Sequence, residues 1–270
     1  MTTRGDELAS AFDRLAGAFE IGGRDELAAV VARSGWATRP VTVPLLPSGV
    51  RHGVPWSLSI SATDAAVEVR VWLEAQADPP DEAAYLSAAE AMLGPSPLIA
   101  MPQRLWHQLR FARGRAATIE TYACVPDRPE LAWAAAGAAG LELRAALPAR
   151  ALVTMIAGTR ERMKVYVLFP AARPAELPYV DRDTLAFAHV LHPSDAPIGW
   201  LVAYTLAPDR PPVASLHFAA HVHGDRELPA RLSGHAALVR ARAALGEPRL
   251  HFVAHAPGRL NFYFLPEVAR

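Results

Sequence analysis

The chain has 270 residues, of which 51% are hydrophobic, and its 27 basic and 27 acidic residues give a formal charge of zero. A balanced charge provides no global field that would attract nucleic acid or a membrane surface, so any anion site must be local. Charged residues interrupt the apolar runs before the roughly 18 residues that a membrane span needs, and no apolar signal core is present at the N-terminus. We therefore expect a cytoplasmic protein that folds as one domain over residues 1–270.

Five β-hairpins are predicted in chain order after an N-terminal lead-in over 1–49, in which 6–33 has the amphipathic pattern of a helical segment. The paired arms cover 55–61 with 67–74, 104–112 with 116–124, 151–157 with 161–169, 199–206 with 213–222, and 249–255 with 258–265. The turns fall near Thr63, Gly114, Thr159, Asp209 and Pro257. This nearly constant spacing is typical of a repeated supersecondary unit.

Alanine- and leucine-rich segments between the hairpins predict helices over 81–93, 130–147, 181–191 and 228–245. Five hairpins with helical connections predict an α+β fold, in which a closed ten-stranded antiparallel β-barrel is surrounded by an outer ring of α-helices. The apolar side of each strand must then face the helices, and the alternate side chains must face the lumen.

This alternation assigns polar and aromatic side chains to the lumen. The apolar side is unbroken on the second, sixth and tenth strands, where the inward side chains are those of Arg70, Trp72, Glu74, Arg162, Lys164, Tyr166, Asn261 and Tyr263. On the other strands the inward side chains are those of Ser57, Ser59, Ser61, Trp106, Gln108, Arg110, Glu120, Tyr122, Cys124, Trp200, Tyr204, Ser215, His217, His221, His251 and His255.

The triplet Arg162, Lys164 and Tyr166 is the strongest sign of a ligand. It puts a guanidinium, an ammonium and a phenol on one strand face, with about 7 Å between successive members. Arginine and lysine together can hold a pyrophosphate from two directions. The alternative is a strand face exposed to solvent, which the closed barrel disfavours. The inward aromatic residues are open to two interpretations as well, an aromatic cage or ordinary core packing.

No metal cofactor is predicted. His217, His221, His223, His251 and His255 lie on neighbouring predicted strands, but no local pair among them has a zinc-motif spacing together with a clear third ligand, and no acidic pair is placed like a magnesium site. Cys124 is the single cysteine, which excludes intrachain disulfides and thiolate metal clusters.

The five hairpins with outer helices, the Arg-x-Lys-x-Tyr of 162–166, the Val-Arg-Val-Trp-Leu-Glu of 69–74 and the Asn-Phe-Tyr-Phe-Leu-Pro of 261–266 together resemble the ABBA-type aromatic prenyltransferases, or PT barrels. The resemblance covers about residues 50–268. It implies two small-molecule substrates inside the barrel, an allylic isoprenoid pyrophosphate as co-substrate and an aromatic acceptor that is a phenol, an indole or a peptide side chain. It implies no further cofactor and no metal.

The resemblance also implies residue roles. Arg70, Arg162 and Lys164 would hold the pyrophosphate, while Tyr166 and Tyr263 would shield the isoprenyl cation. Five more inward side chains are expected to bind substrate, namely those of Tyr122, Trp72, Asn261, Ser57 and Arg110. The candidates for the base that takes the final proton are Glu74, Glu120 and His217.

Two departures from the family pattern leave other functions open. Indole-prenylating members carry a glutamate in a Pro-x-Glu-x-Ser context where this chain has Ser57, and the fourth strand reads Glu120-Thr-Tyr122 where a Lys-x-Tyr pair is expected. One alternative is a catalytically altered barrel that binds a small hydrophobic or anionic ligand. Another is a barrel enzyme of a different reaction type, such as a cyclase that uses the histidines.

Overall fold

A computed structural model describes residues 1–32, 34, 37–42, 55–74, 105–124, 129–158, 162–194, 196–207, 210–220 and 228–264. The strands in these ranges are β1 (Trp56–Ala62), β2 (Val67–Glu74), β3 (Leu105–Ala112), β4 (Thr118–Cys124), β5 (Leu152–Gly158), β6 (Met163–Ala172), β7 (Ile198–Ala207), β8 (Arg210–Phe218), β9 (Leu250–Ala256) and β10 (Arg259–Phe264). The α-helices are α1 (Arg4–Ala18), α2 (Arg24–Val31), α3 (Pro129–Ala146), α4 (Arg182–Leu191), α5 (Leu228–Arg231) and α6 (Ala236–Leu245), and Pro174–Glu176 forms a 3-10 turn.

The ten strands form one closed antiparallel barrel. Each strand is hydrogen-bonded to its neighbours in the chain, and β1 is hydrogen-bonded to β10. Closure leaves no sheet edge among these strands, so every strand has its two faces defined by pairing on both sides. The predicted barrel of five hairpins with helices around it is confirmed.

Two of the predicted helical segments are each divided in two. The segment 6–33 contains α1 and α2, which are separated at Gly22 and Gly23, and Gly23 has a φ of 120°. A Cβ atom on Gly23 would lie 2.2 Å from the Phe111 ring, so glycine is required there for both reasons. The segment 228–245 divides into α5 and α6 around Gly234. The predicted helix over 81–93 lies outside the described residues.

The chain groups into two compact units, of which unit 1 comprises Met1–Thr121, His235–Arg249 and Tyr263–Arg270. Helix α1 begins with a capping box, in which the Thr3 hydroxyl oxygen accepts from the Asp6 backbone N–H and the Asp6 carboxylate accepts from the Thr3 N–H. Its apolar stripe packs on the sheet, where the rings of Phe12 and Phe111 have centroids 4.8 Å apart. The side of β3 that carries Phe111 is therefore the helix-facing side of the sheet in unit 1.

Unit 2 comprises Tyr122–Gly234 and Leu250–Phe262. Helix α4 begins at the N-cap Asp181, whose Oδ1 accepts from the backbone N–H groups of Asp183 and Thr184. At the C-terminal end of α4, the Arg231 guanidinium of α5 donates to the carbonyl oxygens of Val190 and Leu191. Among the described helices, none is both long and apolar enough to cross a membrane.

One buried histidine makes the stability of unit 1 depend on pH. His107 of β3 is 1% exposed, and its Nδ1 lies 3.3 Å from the Thr121 hydroxyl oxygen. Burial penalises the charged ring and lowers the pKa of His107 to about 4. Below pH 6.5 the unfolded chain therefore binds a proton at this residue that the folded protein does not bind, so stability is lost as the pH falls from about 6.5 towards 4.

We expect His107→Gln to reduce this loss of stability at low pH, because glutamine does not titrate. Between pH 7 and pH 5 the free energy of unfolding of the wild type should fall by about 2 kcal/mol more than that of the variant. Urea unfolding at both pH values measures the difference, and His189→Gln, at an exposed position of α4, is the matched control. Equal pH dependence in all three proteins would contradict the assignment.

Candidate functional site

The inner face of unit 1, opposite its helix-facing side, carries polar residues in register across three strands. Val69 pairs with both Ile60 and Phe111, so these three side chains point towards α1. The alternate residues point the other way, and there Arg70 lies between Ser59 and Arg110. In the next row Trp72 lies between Ser57 and Gln108. The predicted inward side of β1, β2 and β3 is confirmed.

Two arginine–glutamate pairs dominate the charge on this face. Arg70, with 7% of its side chain exposed, donates from Nε and from a terminal nitrogen to Glu68 Oε2, at 3.2 and 2.7 Å. Arg110 forms an ion pair with Glu120 of β4 and donates from Nε to Gln108 Oε1 at 2.7 Å. Such charge-assisted bonds hold a guanidinium in one orientation.

Aromatic rings and a buried carboxyl group complete the inner face of unit 1. Trp72 donates from Nε1 to the Ser59 hydroxyl oxygen at 3.2 Å, and its ring lies 6.0 Å from that of Tyr263. Two residues after Trp72 on the same side of β2, Glu74 is 2% exposed and pairs across the sheet with Trp106. Ser57, in the position of the missing family glutamate, is fully buried.

The inner face of unit 2 is centred on Tyr166. Its ring centroid lies 5.8 Å from that of Tyr122 and 5.7 Å from that of His217. Lys164 is on the same side of β6 and pairs with Ala157 of β5. This face therefore combines a half-buried lysine with aromatic rings, and Asn261 of β10 is buried as well.

The comparisons with known proteins identify the fold. No protein-family model and no curated protein matches the chain. Among solved structures, a 6-dimethylallyl tryptophan synthase superposes with a TM-score of 0.81 at 19% identity, covering 100% of this chain and 98% of that one. The Micromonospora olivasterospora 6-dimethylallyltryptophan synthase, in complex with DMASPP and Trp, superposes with 0.79 at 20% identity, covering 100% and 99%. The fold is the PT barrel.

A third solved structure with this fold is the 5-dimethylallyl tryptophan synthase from Streptomyces coelicolor, also in complex with DMASPP and Trp. It superposes with a TM-score of 0.77 at 19% identity, and the superposition covers 99% of this chain and 96% of that chain. The fold expected from the resemblance to the ABBA-type prenyltransferases is therefore confirmed.

The most exposed of the predicted phosphate-binding residues is Arg162. It lies one residue before β6 begins and its side chain is exposed, whereas Lys164 is half-buried and Tyr166 is buried. The described strand thus carries two members of the predicted triplet, and the third is at the hairpin end of the PT barrel.

Two aromatic residues predicted to face the lumen lie on the opposite side of the sheet. Tyr204 pairs with Val165 and Trp200 with Phe169, and Trp200 donates from Nε1 to the Ala172 carbonyl oxygen at 3.1 Å. The prediction was wrong because β7 is apolar on both faces, so its own pattern does not distinguish them. Cross-strand register decides the matter.

Two of the predicted inward histidines also lie outside the lumen. His255 pairs with Leu216, and its ring stacks on that of Phe187 of α4 with the two centroids 5.0 Å apart. Its Nδ1 lies 2.8 Å from the Thr184 hydroxyl oxygen. That hydroxyl donates to Asp181, so His255 Nδ1 carries the proton of the shared bond. Burial lowers the pKa of His255, and the charges of Asp181 and Asp183 oppose this shift.

The predicted histidine cluster does not form among the described residues. His251 is on the same side of β9 as His255, by strand alternation, whereas His217 is on the inner face. His221 and His223 lie outside the described residues. Within the described ranges, no group of three or more His, Cys, Asp or Glu side chains is arranged to hold a metal ion.

One residue on the inner face of unit 1 was not among the predicted site residues. Glu68, the partner of Arg70, is two residues before it and so shares its side of β2. The signal was present, because the alternation that assigns Arg70 to the lumen assigns Glu68 there too.

The outward position of Tyr204 has a measurable consequence. Its buried hydroxyl makes no hydrogen bond within the described parts of the chain, and burial, with Tyr179 nearby, raises its pKa. We expect Tyr204→Phe to leave the midpoint of thermal unfolding unchanged or to raise it, because an unsatisfied polar group is removed. In contrast, Trp200→Phe should destabilise the protein by about 1–3 kcal/mol, because the Ala172 carbonyl loses its donor. A clear loss of stability in Tyr204→Phe would contradict the assignment of the Tyr204 hydroxyl as a buried group without a hydrogen bond in the described parts of the chain.

Proposed function

We propose that this protein transfers an allylic isoprenoid group from its pyrophosphate to an aromatic acceptor inside the barrel. The observation that supports the proposal best is the buried Arg70, which shares the inner face with the paired rings of Trp72 and Tyr263. The proposal is also supported by the fold, which this chain shares with proteins that bind DMASPP and Trp. The acceptor class is a phenol, an indole or a peptide side chain, and the expected location is the cytoplasm.

The proposed reaction separates charge, and each kind of side chain has a part in it. The allylic C–O bond breaks and its electron pair leaves with the pyrophosphate, whose negative charge Arg70 and Arg110 on the inner face of unit 1 would stabilise. The positive charge remains on the isoprenyl group, where the faces of aromatic rings stabilise it. The site must also exclude water, which would otherwise capture the cation.

The acceptor atom then forms the new bond to the isoprenyl carbon and loses its proton to a base. Glu74, Glu120 and His217 are the three candidate bases, and each lies on an inner face. Glu120 is already engaged by Arg110, and the His217 ring packs against Tyr166. Glutamine variants of the two glutamates and His217→Gln would separate these roles through the pH profile of kcat.

A second candidate function has an observation of its own. Arg70 and Arg110 each hold a glutamate, so these cations are neutralised before any ligand arrives. Of the ligands considered for a barrel without turnover, this favours a small hydrophobic molecule over an anion. Native mass spectrometry of the freshly purified protein would then find a bound ligand that incubation does not convert.

The proposed transferase activity is tested by product formation. We expect mass spectrometry to detect a prenylated product when the protein is incubated with dimethylallyl, geranyl or farnesyl pyrophosphate and an acceptor panel, with or without magnesium. Arg70→Gln should lower kcat/KM by about 100-fold or more, because a charge-assisted contact to the leaving group is lost. Arg113→Gln, at an arginine with 75% of its side chain exposed, is the matched control and should keep full activity. Absence of both product and binding for all three pyrophosphates would reject the proposal.

A further inference from the structure

The inward arginines of β2 and β3 are direct neighbours although their charges are alike. Arg70 and Arg110 are direct partners across β2 and β3, and directly opposite residues have Cβ atoms about 4.5–5.5 Å apart. Like charges in such positions repel one another unless each is neutralised. Glu68 and Glu120 supply that neutralisation, one for each guanidinium.

The geometry points to a second role for these two glutamates. We propose that Glu68 and Glu120 are internal competitors of the pyrophosphate, which occupy the guanidinium groups of Arg70 and Arg110 until a pyrophosphate replaces them. The inference rests on the proposed function, because it concerns the same leaving-group site. It identifies residues that limit affinity there, rather than residues that bind the substrate.

The hydrogen bonds explain why replacement is necessary. Glu68 uses one oxygen to accept from both Nε and a terminal nitrogen of Arg70, which is the edge of the guanidinium that a phosphate oxygen would also use. Arg110 is engaged similarly, because Gln108 accepts from its Nε and Glu120 pairs with a terminal nitrogen. A pyrophosphate must displace these acceptors or bind beside them.

Either outcome costs binding free energy. A displaced carboxylate loses a charge-assisted bond, and one that stays repels the pyrophosphate at short range in a site of low exposure. The cost applies to the substrate and to the released pyrophosphate alike, so the glutamates weaken product inhibition as well as substrate binding. They also make the affinity for a pyrophosphate lower than the number of inward cations suggests.

Inorganic pyrophosphate is the appropriate probe, because it tests the anion site without an isoprenoid or an acceptor. Isothermal titration at pH 8 and fixed ionic strength should compare the wild type with Glu68→Gln and Glu120→Gln. We expect each variant to bind pyrophosphate about tenfold more tightly, since one nearby negative charge is removed. Glu20→Gln is the matched control, because it removes a carboxylate from an exposed ion pair with Arg113 in the same unit, and its affinity should equal that of the wild type.

Several results would overturn the inference. They are an unchanged or weaker affinity in both folded variants, a gain of equal size in Glu20→Gln, no measurable binding by any of the four proteins, or loss of folding in both inward variants, which would assign the glutamates a structural role only. Folding is checked by thermal unfolding of each protein. Glu68→Gln, which changes none of the three candidate bases, should also be inhibited by pyrophosphate at about tenfold lower concentration during turnover.

The outcome separates this inference from the proposed function. Tighter pyrophosphate binding by Glu68→Gln and Glu120→Gln, together with no prenylated product from the wild type, would support the inference and favour the barrel that binds its ligand without turnover. Product formation by the wild type with no gain of affinity in the variants would do the reverse.

Discussion

Pairing of every strand on both sides is the constraint on which the rest of this structure depends. Because the ten strands form a closed barrel, each strand is paired on both sides. A shift of one residue in its register would turn its whole set of side chains to the other face. Phe12 against Phe111 in unit 1 identifies the helix-facing side. The stack of Phe187 on His255 does so in unit 2. From these anchors, register alone determines which residues can meet a ligand.

The inner face of unit 1 shows what a barrel must do with charge that it removes from water. An isolated buried guanidinium is costly, so Arg70 is held by Glu68 and Arg110 by Glu120. The same pairs that make the charges tolerable in the folded protein also lower the positive potential available to an anion. Stability and affinity therefore oppose one another at this face, and the balance between them depends on two carboxyl groups rather than on the number of arginines.

The helix-facing side follows a different rule, because its polar groups serve packing and capping. Asp181 begins α4 and fixes the Thr184 hydroxyl, which in turn orients the His255 ring. His107 stays neutral because burial disfavours its charge. Polar side chains on this side of the sheet connect helices to strands, and their titration affects stability. This division explains why the histidines of neighbouring strands do not act together, since β9 directs His255 to a helix while β8 directs His217 to Tyr166.

The amino-acid sequence by itself determined the hairpins, the barrel and the inward faces of β2 and β10, because an unbroken apolar side leaves one orientation that buries it. It also placed Arg70, Trp72 and Tyr263 on an inner face. Only the tertiary structure decided the orientation of Trp200 and Tyr204, since β7 is apolar on both sides and needs its neighbours' register. It likewise showed that Glu68 and Glu120 hold the inward arginines, because alternation assigns a side chain to a face but not to a partner. The chemistry of the inner face thus depends on contacts between strands, which no single strand encodes.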